Sequence, residues 1–429
     1  MLAHQYTAFN DFFQPSASMR DQFPIFSTFL IANLRWLAGG VLLTFFSSVG
    51  QTFFISLFAG QIRADFGLGH GSFGFFYMLA TLGSAATLIW LGKLIDSIAV
   101  ARLAMAWIVA LALAAMLMAL ADSVLSLLLA LYLLRLFGQA MLTHTSLVAM
   151  GRWFHAERGR AVSVASIGHQ IGEGLLPLGV VGLLVFMHWR MVWVLVAVVL
   201  VIMALPMSYA LLSKPRSSSN GVHDNFESGR QWTRFEVLRD PPFWLVCTGV
   251  LAPAFIGTSV FFHQVHLAEI KQWSLTVIAS SFAILSITSV CVGLLTGQLI
   301  DRFSARSLLP FFLFPLSMGC FVLGVFDAAW AMPVFMFFLG GSYGISSAVF
   351  GAIWPETYGT RHLGAVRSVV SAAMVFASAL GPGLTGWLID QQVGFERQLV
   401  FMSAYCILMM LVLFPVSRTL KRRNVLVVS

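Results

Sequence analysis

Apolar residues in this 429-residue chain fall in long runs rather than alternating, and short polar stretches break the runs at regular intervals. A helix needs about 20 mostly apolar residues to cross a bilayer, so twelve crossings use roughly 240 residues. The runs predict six helices at 34–60, 72–95, 101–121, 124–150, 159–187 and 190–212. Six more are expected at 243–268, 275–300, 307–326, 329–353, 363–389 and 398–417. Residues 213–240, rich in Ser, Asn, Gly and charge, read as a surface linker. The expected organisation is an arm (1–33), a six-helix bundle (34–212), a linker (213–242), a second six-helix bundle (243–417) and a basic tail (418–429). This is an all-α polytopic membrane protein with twelve transmembrane helices.

Composition agrees and removes other classes. Hydrophobic residues make up 59% of the chain against 25 basic and 17 acidic ones, too few charges to cover a water-facing surface of this size. The net charge of +8 comes from short clusters between apolar runs, with no basic domain for nucleic acid. Of the 25 basic residues, twenty fall on the side of the termini and linker; Arg63, Arg190, Lys271 and Arg397 fall on the other, and Arg135 lies within a helix. By the positive-inside rule both termini are expected in the cytoplasm of a bacterial plasma (inner) membrane. The first 33 residues lack the basic-then-apolar pattern of a cleavable signal. Cys247, Cys291, Cys320 and Cys406 sit in apolar runs without metal-site spacing and read as small core residues.

The chain also repeats itself. Gly92-Lys93-Leu94-Ile95-Asp96 recurs 205 residues later as Gly297-Gln298-Leu299-Ile300-Asp301, each at the end of the second helix of its half. Gly159 maps onto Gly364 at the same shift. Two halves repeated in one orientation imply a pseudo-two-fold axis along the membrane normal and a cavity between the bundles.

These residues resemble the major facilitator superfamily of secondary transporters, whose signature between helices two and three is Gly-x-Leu-x-Asp-basic-x-Gly-Arg-basic. The first copy here has Gly92, Leu94 and Asp96 followed by Arg102 as its only basic residue; the second keeps Asp301, Arg302 and Arg306 but has Ser304 at the later glycine. Within that superfamily, the runs Trp153–Ala161 and Leu238–Trp244, with Ser48-Val49-Gly50-Gln51, look like the oxalate:formate and monocarboxylate branch. No basic residue lies mid-helix in the eighth or eleventh run, where that branch usually carries one. The resemblance implies alternating access and a solute site between the bundles, to which Gln51 is assigned.

Polar groups at mid-bilayer depth mark the chemistry, because each costs several kcal/mol there unless it is paired or faces a cavity. Tyr132, Arg135, Gln139, Thr143 and Ser146 recur at helical spacing on one face of the fourth run. Arg135 needs an anionic partner: a substrate anion, a proton-carrying residue or a structural ion pair. Glu173 lies about 21 Å along the fifth helix from Gly159 at 1.5 Å per residue, level with Arg135. With His169 one turn away it forms a candidate proton site. The second half offers hydroxyls, with Tyr343 and Ser347 on one helix face, and His263 and His266 near an outer helix end where water is expected to reach them.

Asp96, Arg102 and Arg158, and in the second half Asp301, Arg302 and Arg306, are expected to form charge clusters that hold an inner gate. No HExxH, GxSxG, paired-Cys site or phosphate-cradling loop is present, so neither an enzyme nor an ATP-driven pump is indicated. The expected function is proton-coupled movement of a small organic anion such as a monocarboxylate. Arg135, Tyr132, Gln139, Gln51, Tyr343 and Ser347 would bind it, and Glu173 and His169 would handle protons. The other reading is proton-coupled export of an amphipathic or cationic compound, with Glu173 as the cation site and Arg135 as its structural partner. The expected partners are the lipid bilayer, a small solute and protons, with no nucleic acid, cofactor, metal or obligatory protein partner.

Overall fold

Long apolar runs with few charges leave a helix as the segment that satisfies its own backbone in lipid. The computed structural model describes residues 17–154, 157–214, 232–359 and 362–428, and all regular structure among them is helical. Among the described residues, twelve helices are long and apolar enough to cross a membrane. In the first half these are α1 (Thr28–Gly50), α2 (His70–Ile95), α3 (Val100–Leu120), α4 (Val124–Trp153), α5 (Gly159–Leu184) and α6 (Trp189–Leu212). In the second they are α7 (Pro241–Phe262), α8 (Leu275–Ile300), α9 (Ala305–Val325), α10 (Ala331–Tyr358), α11 (Val366–Asp390) and α12 (Phe395–Arg422). Helical structure leading into α1 already begins at Ala17, inside the expected arm, and helical structure continues beyond α12 to Val428, through the expected tail. Of the linker, residues 215–231 lie outside the described residues.

The 205-residue repeat extends well past the five-residue match. The helix after α1 bends at Phe58 (φ −95°, ψ 2°) and resumes as Ala59–Phe66; α7 bends at His263 (φ −95°, ψ 16°) and resumes as Gln264–Ile270. Gly67 and Gln272, 205 apart, both have positive φ, 62° and 55°. The first residues of α2 and α8, and of α3 and α9, keep the same offset. Ser56 Oγ donates to the Phe261 carbonyl 205 positions away at 2.6 Å. Positions related by a two-fold repeat touch only beside its axis, so this bond marks where the pseudo-axis passes.

The motif copies themselves differ. Gly92–Asp96 forms a tight 3₁₀ turn, whereas Gly297–Asp301 lies in an α-helix that runs on to Phe303. Helix α8 ends because Ser304 adopts φ 70°, ψ 152°, a region that glycine tolerates and an L side chain does not. Ser304→Gly is therefore expected to stabilise the fold by about 1 kcal/mol, read as a higher melting temperature in detergent. An unchanged or lower value would show that the Ser304–Ser307 hydroxyl contact at 3.2 Å outweighs the backbone term.

The bundles meet along two pairs of helices, α2 on α11 and α5 on α8. The tightest polar contacts between them lie in the half remote from the termini. Asp390, at the end of α11, accepts from the first backbone N–H groups of α2, His70 (3.2 Å) and Gly71 (2.8 Å), compensating the positive end of that helix. Gln264 Nε2 crosses to the Phe53 carbonyl and Ser56 Oγ, both at 2.9 Å. These contacts close the far face.

Candidate functional site

A glycine followed by a polar residue at mid-helix weakens α1, and the chain breaks there. After a 3₁₀ turn at Ser48–Gly50, Gln51 is extended (φ −83°, ψ 156°), and helix resumes at Thr52–Ile55. The freed Gly50 carbonyl takes a hydrogen bond from Arg135 Nη1 at 3.2 Å, which also reaches Thr52 Oγ1 at 3.4 Å. Tyr77 of α2 completes the enclosure: its hydroxyl donates to Thr52 Oγ1 (2.8 Å) and its ring lies 5.1 Å from the guanidinium carbon. Arg135 is only 1% exposed.

Helix α4 answers the break by widening into π-helical turns over Leu134–Leu142. Gly50 and Gly138 let the two irregular segments touch: a Cβ on Gly138 would lie 2.7 Å from the Gly50 Cα, and one on Gly50 2.2 Å from the Leu134 carbonyl oxygen. The polar face of α4 therefore binds helices rather than lining an open cavity along its length. Ser146 donates to the Gly40 carbonyl of α1 (2.9 Å), and Tyr132 shares a hydrogen bond with Thr87 of α2 (2.8 Å). Gln51 and Gln139 are half-buried beside the Gly50–Gly138 contact.

Glu173 of α5 is 7% exposed, and among the described residues no hydrogen bond or ion pair reaches it. Arg135 is engaged elsewhere, and no ion pair joins the two among the described residues. His169 is half-buried with its ring 6.0 Å from that of Phe53, and Phe53 continues to Phe282 (5.7 Å) and Phe261 (5.1 Å further). These rings run from His169, one turn before Glu173 on α5, out of one bundle into the other. Tyr343 lies within electrostatic reach of Glu173 and sets its hydroxyl into the space left by Gly257 of α7. Ser347, one turn along α10, is exposed.

At the repeat-related positions of the second half these charged and broken features have no counterpart among the described residues. The repeat places Gly340 opposite Arg135, Ser378 opposite Glu173, and Ile256, inside an unbroken α7, opposite Gln51.

Of the expected gate residues, the side chains of Asp96, Arg158 and Asp301 lie outside the described ones. Arg102 is exposed, and Arg302 lies over the Phe303 ring at 5.3 Å. Arg306 is buried within its own bundle, 3.9 Å from Glu356 Oε2, donating to the Glu356 carbonyl and to the Leu420 carbonyl (3.4 Å). It ties α9 to α10 and α12.

The expectation that His263 sits in water is corrected. Because α7 bends at that residue, its ring turns under α11 and α12 and is only 3% exposed, 5.5 Å from Phe395, with Nε2 donating to the Pro382 carbonyl at 3.3 Å. His70 and Asp390, both missed in the sequence, join it at the far face. Asp390 as the last residue of its apolar run was the available signal.

Known proteins give the same outline. The family model described as Major Facilitator Superfamily matches residues 40–366 and 255–427. Among curated proteins no relative matches. The chain is similar to the crystal structure of a bacterial homologue of the human lysosomal transporter Spinster, inward-facing and unoccupied, at 16% identity and a TM-score of 0.68, covering 90% of this chain and 97% of that one. It is likewise similar to the nucleoside transporter NupG at 11% identity and a TM-score of 0.67, covering 89% of this chain and 98% of that one.

Proposed function

The chain belongs to the major facilitator superfamily, and on that premise we propose that it is a proton-coupled secondary transporter whose exchanging group is Glu173 and whose solute is an amphipathic molecule with a cationic centre. One observation carries this reading: a carboxyl group buried at mid-depth beside the bundle boundary, with no donor or cation among the described residues. An ionised carboxylate there requires a cation or water, so proton and solute compete for one group as the bundles rock. The aromatic run Phe53, Phe282 and Phe261, which begins against His169 one turn from Glu173, supplies apolar and ring surfaces that suit an organic cation. The half-buried Gln51, Gln139 and Tyr343 add neutral hydrogen-bonding groups.

A small organic anion such as a monocarboxylate, as in the oxalate:formate and monocarboxylate branch, is the second reading. It is favoured by Arg135 Nε, a buried donor without a partner, although the guanidinium is closed off in this conformation. Both readings have the termini and linker in the cytoplasm of a bacterial inner membrane, on the charge asymmetry. The gate role of Asp96, Arg102, Arg158, Asp301, Arg302 and Arg306 at that face is part of the same proposal.

The test is proton flux in sealed proteoliposomes on adding amphipathic cations or small carboxylates. Cation-evoked proton movement supports the reading. Carboxylate-evoked proton entry that is lost in Arg135→Gln replaces it with anion symport.

A further inference from the structure

Three histidines from both bundles converge at the far face. His70 opens α2, His263 sits at the bend of α7, and His266 lies one turn on; the His70 ring is 4.2 Å from that of His266 and 5.9 Å from that of His263. Arg63 Nη1 lies 3.0 Å from His70 Nε2. A guanidinium only donates, so His70 Nε2 is the acceptor and its ring is uncharged in this closed arrangement. The pocket shared by Arg63, His70, His263 and His266 is closed by Ala59, Phe73 and Phe262.

The groups facing this cluster are few. Glu269 lies 3.8 Å from Arg63 and 4.0 Å from His266 Nδ1, but it is half exposed and weakened by solvent. Asp390 from α11 is held by the N–H groups of His70 and Gly71. Glu396 of α12 acts on His266 from further away. Arg63 opposes any added positive charge.

We propose that His70, His263 and His266 form a proton-binding latch, shut when the rings are neutral and released when one takes a proton, so that acid on the far side opens the gate toward that side. A proton on His70 Nε2 costs that ring its bond from Arg63, a residue of the same bundle, and leaves two cations in a pocket walled on the other side by the His263 and His266 rings of the second bundle, which separation of α2 from the α7 bend opens to water. Separation also breaks the Asp390 cap and the Gln264 bonds, so one protonation is transmitted to the contacts that hold the bundles together.

The direction of the pH effect follows from linkage. Burial first, then the His70 charge, pushes His263 down from its ordinary 6.5 to about 3, and burial lowers His266 as well. The open, hydrated rings then bind protons more readily than the closed ones. Closure is fully stabilised above about pH 6.5 and is lost as pH falls toward the depressed values. This latch is independent of what Glu173 binds.

The experiment is a pulsed EPR distance across the far face in nanodiscs, with spin labels on Val185→Cys and Ala329→Cys and the exposed Cys291 replaced by Ser. Acidification to about pH 5 should raise the long-distance fraction about threefold or more. The combined His70→Gln, His263→Gln and His266→Gln variant should be flat across the same range. An acid response that persists there, or a parent protein without one, overturns the latch. If the triple variant does not fold, His70→Gln alone decides, since its amide accepts from Arg63 but takes no proton; an undiminished response counts against the proposal. Glu173→Gln should keep the response. Its loss there with retention in the histidine variants assigns proton sensing to Glu173 instead.

Discussion

Glu173→Gln should abolish the coupling between proton and solute while leaving the fold intact. The amide keeps the volume of the side chain and removes the exchangeable charge. Coupling free energies of 1–3 kcal/mol correspond to a loss of about 5- to 150-fold in gradient-driven uptake. Exchange of solute down its own gradient should weaken but persist, because the variant loses the charge partner of the solute while keeping the neutral groups at Gln51, Gln139 and Tyr343, and rocking of the bundles does not itself require the proton. Stability should hold or rise, since the variant strands no partner: no hydrogen bond or ion pair reaches this carboxyl among the described residues. Glu173→Asp, retracted by one methylene, should fall between the two. Uptake by the Gln variant that still follows an imposed pH gradient, with unchanged proton stoichiometry, would remove Glu173 from the mechanism.

Much of the architecture is written in local composition, because lipid selects apolar runs whatever their neighbours. The repeat was legible at Gly92 and Gly297 for the same reason: each opens a motif copy at the end of the second apolar run of its half. The break at Gln51 was not. Nothing there carries a proline, and the extended residue is held from across the bundle by Arg135 and by the close approach of Gly138. Periodicity found the polar face of α4 but not what it faces, since Tyr132 and Ser146 at helical spacing serve contacts to α2 and α1 as well as they would serve a cavity. The far-face latch was hidden by distance in the chain. Arg63, His70, His263 and Asp390 come from four segments, and the bend that buries His263 depends on where α11 and α12 lie.

Arg135→Leu should lower stability and turnover together, and this separates a structural cation from a substrate anchor. Removing the guanidinium leaves the Gly50 carbonyl of the helix break without its donor, at about 1–3 kcal/mol for a buried unsatisfied group. The melting temperature should drop and the maximal rate should fall, with little change in KM for the protein that remains folded. Arg135→Lys should recover only part of the loss, because the shorter side chain must carry its ammonium to the place where Nη1 meets both the Gly50 carbonyl and Thr52 Oγ1, and it lacks the planar guanidinium that lies over the Tyr77 ring. Gly138→Ala should give the same phenotype by a different route, since its Cβ pushes α4 off Gly50 and withdraws Arg135 from the carbonyl. If both residues act through that one contact, the double variant should cost less than the sum of the single ones. A large rise in KM for a carboxylate at unchanged stability would instead show that the unpartnered Nε meets an anionic solute, and would move the assignment to the anion reading.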